Sequence, residues 1–254
     1  MKKTELIVAL DVDTLAEARE IVEELGETVN HYKIGSQLFT ACGPAVARFV
    51  QAKGKHVFLD LKFHDIPNTV ARAVHSAVNL SAALERSMTP QAKASAPAVQ
   101  GLFMLTVHTC GGREMMESAV AAAAQVAKDT GVRKPLIVGV TVLTSEEKKD
   151  NILHLVLERA ALAQEAGLDG VVASCHEAAE IRKKFGKDFL IVTPGIRPKG
   201  TDAGDQKRVT TPFDAILNGS DFLVVGRPVV QAQSPLKSAQ EILEEIQKAQ
   251  DSLR

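Results

Sequence analysis

Asp60, Lys62 and Asp65 form a D-x-K-x-x-D spacing inside the stretch Val57-Phe58-Leu59-Asp60-Leu61-Lys62-Phe63-His64-Asp65-Ile66-Pro67-Asn68-Thr69-Val70. Through Phe63 the run is apolar enough to read as a β-strand. Side chains alternate across a strand, so Asp60 and Lys62 are expected on one face and Leu59, Leu61 and Phe63 on the other. Asp65 then falls just past the strand end, where Ile66-Pro67-Asn68-Thr69 opens a helical pattern with proline in the first turn. Three ionisable groups thus meet where a strand gives way to a helix, an arrangement suited to moving a proton or stabilising a developing charge. The same residues would also serve as a strand-end ion pair and a helix cap, and the spacing alone does not choose between the two.

The elements that must hold these groups follow from composition and pattern. With 254 residues, 45% of them hydrophobic and 24% charged, the chain has enough apolar material for one full α/β barrel core. The net charge of −1 offers no basic stripe for nucleic acid or an anionic membrane surface, which favours a small-molecule site. Met1-Lys2-Lys3-Thr4-Glu5 runs directly into a strand-like Leu6-Ile7-Val8-Ala9-Leu10, too short for a signal segment, so the chain reads as cytoplasmic. Cys42, Cys110 and Cys175 have no C-x-x-C spacing and suggest neither a disulfide framework nor a zinc site.

Along the chain, strands are expected at Leu6–Val12, Val29–Gly35, Val57–Phe63, Leu102–His108, Pro135–Leu143, Val171–Ser174, Phe189–Thr193 and Phe222–Val225. Helices separate them. The first opens at Thr14-Leu15-Ala16-Glu17, the second is interrupted at Gly43-Pro44, and the last spans about Pro235 to Asp251. Eight strands alternating with helices predict a single (β/α)8 TIM barrel over residues 1–254, an α/β fold, with an open doubly wound sheet as the competing arrangement. No G-x-G-x-x-G follows the first strand, which weighs against a dinucleotide-binding sheet. The stretch from Ser81 to Gln100, with Pro90 and Pro97 among small residues, reads as an insertion between the third helix and the fourth strand, opposite the face expected to carry the site.

In a barrel the carboxyl ends of the strands share one mouth, and Asp11, Lys33, Asp60, Lys62, His108, Thr144, Pro194 and Arg227 all fall at or just after such ends. Thr193-Pro194-Gly195-Ile196-Arg197 leads into a long polar loop through Gln206, of the length used for mobile lids. Val225-Gly226-Arg227 ends the eighth strand. Loops after strands seven and eight commonly bind phosphate, so a phosphorylated substrate is expected, with Gly226 permitting close approach and Arg227 supplying a planar fork of donors. Asp60 and Asp65 are possible magnesium ligands, but Lys33 and Lys62 crowd the same mouth with positive charge, and no metal is expected. Cys110 near His108 is a weak candidate for a thiolate nucleophile.

Taken together, the segments Ala9-Leu10-Asp11, Tyr32-Lys33-Ile34-Gly35, Phe58 to Thr69, Val107-His108 with Gly111-Gly112, Leu143-Thr144-Ser145, Thr193 to Arg197, Asp205-Gln206 and Val225-Gly226-Arg227 resemble the orotidine 5'-phosphate decarboxylase family, in order and over nearly the whole chain. The resemblance implies cofactor-free decarboxylation of orotidine 5'-phosphate to UMP on a homodimeric barrel. It assigns Lys33, Asp60, Lys62 and Asp65 to an alternating charged network at the reacting carbon, with Asp65, Ile66 and Thr69 reaching in from the partner subunit. Asp11 and Lys33 would hold the ribose hydroxyls, Thr144 the pyrimidine, and Arg197, Gln206, Gly226 and Arg227 the phosphate side, with Pro194 also among the substrate-binding residues. The inserted stretch at 81–100 departs from the shorter link expected in the family.

Two other readings compete. Related barrels acting on keto-sugar phosphates share D-x-K-x-x-D and use magnesium, but are expected to carry an acid where this chain has Lys33. An inactive UMP-binding protein on the same scaffold would keep the phosphate grip without turnover.

Overall fold

The computed structural model describes residues 4–87, with backbone only over 81–87, together with 102–143, 151–198 and 210–253. Its eight strands are β1 (Glu5–Ala9), β2 (His31–Gly35), β3 (His56–Phe63), β4 (Leu102–His108), β5 (Leu136–Val140), β6 (Gly170–Val172), β7 (Leu190–Thr193) and β8 (Phe222–Val225). They pair in parallel, each with the next in sequence, and β8 pairs back onto β1 to close a barrel. The expected (β/α)8 architecture is therefore the one observed, and the open sheet is excluded by the β1–β8 ladder.

The helices are α1 (Leu15–Leu25), α2 (Ser36–Cys42), α3 (Pro44–Ala52), α4 (Pro67–Ser87), α5 (Arg113–Thr130), α6 (Ile152–Glu165), α7 (Cys175–Phe185), α8 (Pro212–Leu217), α9 (Arg227–Val230) and α10 (Pro235–Ser252). Their boundaries have local causes. Thr14 caps α1 by accepting from the Glu17 N–H while the Glu17 carboxylate accepts from the Thr14 N–H at 2.9 Å, a reciprocal capping box. Gly43, at φ +59°, divides α2 from α3, and Pro44 starts the second helix in the turn where its missing N–H costs nothing. Helix α4 continues through Ser87, so the beginning of the expected insertion is helical. The remainder of that stretch, from 88, lies outside the described residues.

Two apolar layers hold the barrel. The larger lies between strands and helices and includes Leu6, Val8 and Leu10 of β1 and its extension, Val57 and Leu59 of β3, and Ile21, Val74, Met116 and Ile242 from the helices. A smaller cluster contains Ile7, Ala9, Phe58, Met104, Val138, Leu190, Val192, Phe222 and Val224. These residues alternate along their strands with members of the larger layer, as a period of two requires, and so fill the barrel interior. The same inward face carries chemistry at its carboxyl end: Ala9 is followed two positions on by Asp11, Phe58 by Asp60, and Val224 by Gly226. No helix among the described residues is long and apolar enough to cross a membrane.

Candidate active site

Above the inner apolar layer lies a cavity of about 500 Å3, within the range of small-ligand pockets. Its charged wall is built by three adjacent strand ends: Asp11 after β1, Lys33 on β2, and Asp60 and Lys62 on β3. Next to this wall around the rim stand Pro194, Gly195 and Arg197 after β7, and Gly226, Arg227 and Gln231 after β8, the strand that pairs with β1. Val140, Val142, Leu143, Val172 and Val192 supply apolar surface. Eight of the sequence-expected site residues therefore share one cavity.

The charged side chains form an alternating row. Lys33 Nζ donates to Asp11 Oδ1 at 2.9 Å and stands 3.7 Å from Asp60 Oδ2, while Lys62 Nζ donates to that same Asp60 oxygen at 2.8 Å. The side chains of Lys33 and Asp60 are each only 12% exposed, so each charge depends on its neighbours in the row to offset the cost of burial. Two glycines give this row room. A Cβ on Gly35 would stand 3.0 Å from Lys33 Nζ, and one on Gly226 would stand 3.0 Å from Asp11 Oδ2. Besides the close ligand approach expected of it, Gly226 leaves space for the Asp11 carboxylate.

Asp60 and Lys62 are together, but regular alternation is not what brings them together. Between Leu59 and Phe63, β3 advances four residues while β4 advances two, from Leu105 to Val107, so the register breaks at the charged pair. Within this bulge Lys62 has φ +52°, and among the described residues it alone of the non-glycines has a positive φ. A left-handed side-chain-bearing residue costs about 1–3 kcal/mol, and such strain is kept only where the surroundings impose it.

Asp65, Ile66 and Thr69 do not line the cavity of their own chain. All three are exposed, Ile66 at 65%, and Asp65 Oδ1 accepts from the Ile66 N–H at 2.6 Å. The family resemblance brings Asp65 into the charged network from the partner subunit; within one chain the row is Asp11, Lys33, Asp60 and Lys62. Thr144 and Gln206, expected at the pyrimidine and phosphate, lie outside the described residues, as does the polar loop from 199. His108, at the end of β4, has its imidazole pulled below the ordinary range, first by burial and then by its neighbours His64, Lys62 and Arg159. Cys110 is exposed.

Three residues escaped the sequence reading. Gln37 lies two positions beyond Gly35, and Gln231 four beyond Arg227, both lining the cavity. A strand end followed within a turn by glutamine was the available signal. The third, Thr106, is fully buried on β4 beside the bulge. Among the described residues, no three His, Cys, Asp or Glu side chains are grouped to hold a metal ion.

Known proteins resemble this chain over nearly its whole length. Residues 4–242 match the family model described as Orotidine 5'-phosphate decarboxylase / HUMPS family. The chain is 42% identical over 254 aligned residues to the orotidine 5'-phosphate decarboxylase of Moorella thermoacetica, covering 96% of this chain and 93% of the relative. It is 45% identical to that of Glaesserella parasuis, over 91% of this chain and 94% of the other. The crystal structure of orotidine 5'-phosphate decarboxylase from Lactobacillus acidophilus superposes with a TM-score of 0.76 at 32% identity, covering 96% of this chain and 99% of that one.

Proposed function

Because the chain belongs to the orotidine 5'-phosphate decarboxylase / HUMPS family, we propose that it decarboxylates orotidine 5'-phosphate to UMP and CO2, the last step of de novo UMP biosynthesis. The observation that carries this reading is the Asp11–Lys33–Asp60–Lys62 row above an apolar barrel interior, in one cavity with Arg197 and Arg227.

The chemistry follows from that row. The bond between C6 of the pyrimidine and the carboxylate breaks heterolytically; CO2 leaves and the electron pair stays on a ring carbon that resonance stabilises poorly. A fixed positive charge and a proton are needed where that charge develops, and the Lys62 ammonium supplies both, recovering its proton from solvent afterwards. Asp60 orients the ammonium through its 2.8 Å hydrogen bond, and Lys33 shares the same carboxylate. We assign Asp11 and Lys33 to the ribose hydroxyls, Thr144 to the pyrimidine, and Arg197, Gln206, Gly226 and Arg227 to the phosphate, with Pro194 lining the substrate cavity. Because the phosphate is remote from the bond that breaks, its grip acts by holding the substrate in place and excluding water.

A metal-dependent keto-sugar-phosphate reaction fits the site less well. Lys33 and Lys62 already occupy the Asp60 oxygen that a divalent cation would need. The near-neutral net charge of −1 supports a small-molecule partner over nucleic acid. We further propose a cytoplasmic location, which recovery of the protein in a secreted fraction would refute.

We also infer that the enzyme is a homodimer in which Asp65, Ile66 and Thr69 complete the partner's site. The exposure of Ile66 at 65%, beside the strand that carries Lys62, supports this. Mixing Lys62→Ala with Asp65→Ala protein tests it: separate defects on different chains restore part of the activity in mixed dimers, whereas a site confined to one chain shows no restoration.

The direct test of function follows the ultraviolet absorbance of orotidine 5'-phosphate with purified protein, with and without chelator. Chelator-resistant conversion to UMP is expected. UMP binding without turnover would support a binding protein instead, and chelator-sensitive activity a metal-dependent one.

A further inference from the structure

We propose that Thr106 is a positioning residue for the reaction, holding both members of the Asp60–Lys62 pair through one hydroxyl. The inference rests on the assignment of Lys62 as proton donor. Thr106 lies on β4, 44 positions from Lys62, with no exposure to solvent. Its Oγ1 donates to Asp60 Oδ1 at 3.1 Å and accepts from the Lys62 backbone N–H at 2.8 Å. A hydroxyl has one proton and two lone pairs, so both bonds coexist without conflict.

Each bond has a separate consequence. By occupying Oδ1, the hydroxyl fixes the rotation of the Asp60 carboxylate and leaves Oδ2 turned toward the ammonium groups of Lys62 and Lys33. By accepting from the Lys62 N–H, it satisfies a donor that the register break removes from the regular β3–β4 ladder. That break is also where Lys62 takes its left-handed backbone. Thr106 occupies the one β4 position opposite the two extra residues, between Leu105 and Val107. Its χ1 is stiff because the side chain is β-branched, so the hydroxyl is a fixed point. The strained backbone and the orientation of the catalytic pair therefore depend on the same atom.

Thr106→Val keeps shape and burial and deletes the hydroxyl. In the full-length protein it should lower kcat for orotidine 5'-phosphate by about 100-fold, the scale of a roughly 1 Å misplacement, while KM changes by less than about threefold. Thr106→Ser restores the hydroxyl and should recover most of the loss. UMP affinity, measured on the same preparations, reports that the site is folded. A Thr106→Val enzyme with kcat within about threefold of the parent overturns the proposal, as does a Thr106→Ser enzyme no better than the valine variant. If neither Thr106→Val nor Thr106→Ala folds while Thr106→Ser does, the hydroxyl is a requirement of the fold, and the positioning role is overturned. Lys62→Ala, run in parallel, separates the two levels: retained turnover there refutes the assignment of Lys62 whatever Thr106→Val does.

Discussion

The two ends of the barrel use the same strand faces for opposite purposes. His31 and Lys33 are two residues apart on β2, and His56 and Asp60 four apart on β3, so each pair points the same way from its strand. At the amino-terminal floor, His31 stacks on His56 with ring centroids 4.6 Å apart and packs against Phe103 at the same distance. At the carboxyl-terminal mouth, Lys33 and Asp60 face a cavity instead. The polar groups differ in the same sense. Beneath the barrel, Arg182 of α7 donates to the carbonyls of Gly186, Phe189 and Gly219 and to Asp221 Oδ2 at 2.6 Å, and that oxygen also accepts from the Ile191 N–H. Floor charges are bound to backbone that cannot leave. Mouth charges are bound mainly to one another, and so can redistribute their hydrogen bonds when a substrate arrives.

A reciprocal pair of substitutions tests this contrast most severely. Lys62→Ala should reduce turnover by at least about 10,000-fold, combining loss of the proton donor with loss of the charge at the developing carbanion. Alanine keeps a Cβ at the same positive φ, so the backbone strain is unchanged, and Asp60 retains Lys33 and the Thr106 hydroxyl, so the unfolding midpoint should shift little. Arg182→Ala should do the reverse. It removes the side-chain donor from the part-buried carbonyls of Phe189 and Gly219 and the cation from the 13%-exposed Asp221 side chain, which keeps only the Ile191 N–H, costing about 3 kcal/mol of stability in denaturant, while kcat per folded molecule stays at the parent value. A marked loss of stability from Lys62→Ala, or of kcat from Arg182→Ala, would mean that the two ends are not independent.

The distinction also explains what could be read from sequence. Element order and most boundaries were legible because they depend on near neighbours: Thr14 with Glu17, Gly43 with Pro44, and Pro67 at a helix start. Asp11, Lys33, Asp60, Lys62 and Arg227 were legible as a site because barrel closure gathers strand ends, whatever the details. The bulge at Lys62 was not, since a period-of-two argument assumes a regular pleat and the residue opposite the break is Thr106 on another strand. The floor cluster was hidden for the same reason: His31, His56, Phe103 and Phe222 come from four strands and meet only when the sheet closes. The short α8 has too few residues to show a helical period, although Thr211 before Pro212 and Asp214 carried a capping signal.

A smaller effect sharpens the comparison through pH. Burial lowers the His31 pKa from 6.5 to about 4, and the neighbouring His56 acts in the same direction. Glu5 Oε2 is 3.1 Å from His31 Nδ1, but its side chain is 44% exposed and well solvated, so burial wins. In the unfolded chain His31 takes up a proton near pH 6.5, whereas the folded protein resists it until about pH 4. Above pH 6.5 both states are neutral there, and the residue contributes no pH dependence. As pH falls from 6.5 toward 4 the unfolded state gains a proton that the folded state refuses, so stability declines, by on the order of 3 kcal/mol in total. His56, also held below its ordinary range by burial, adds to the decline. Denaturation of the parent and of His31→Leu across pH 7 to 4.5 isolates the contribution, because other titrating groups are common to both proteins. The parent should lose more stability than the variant over that interval; parallel curves would show that the floor histidine accepts its proton as readily folded as unfolded, and that this end of the barrel is as open to water as the mouth.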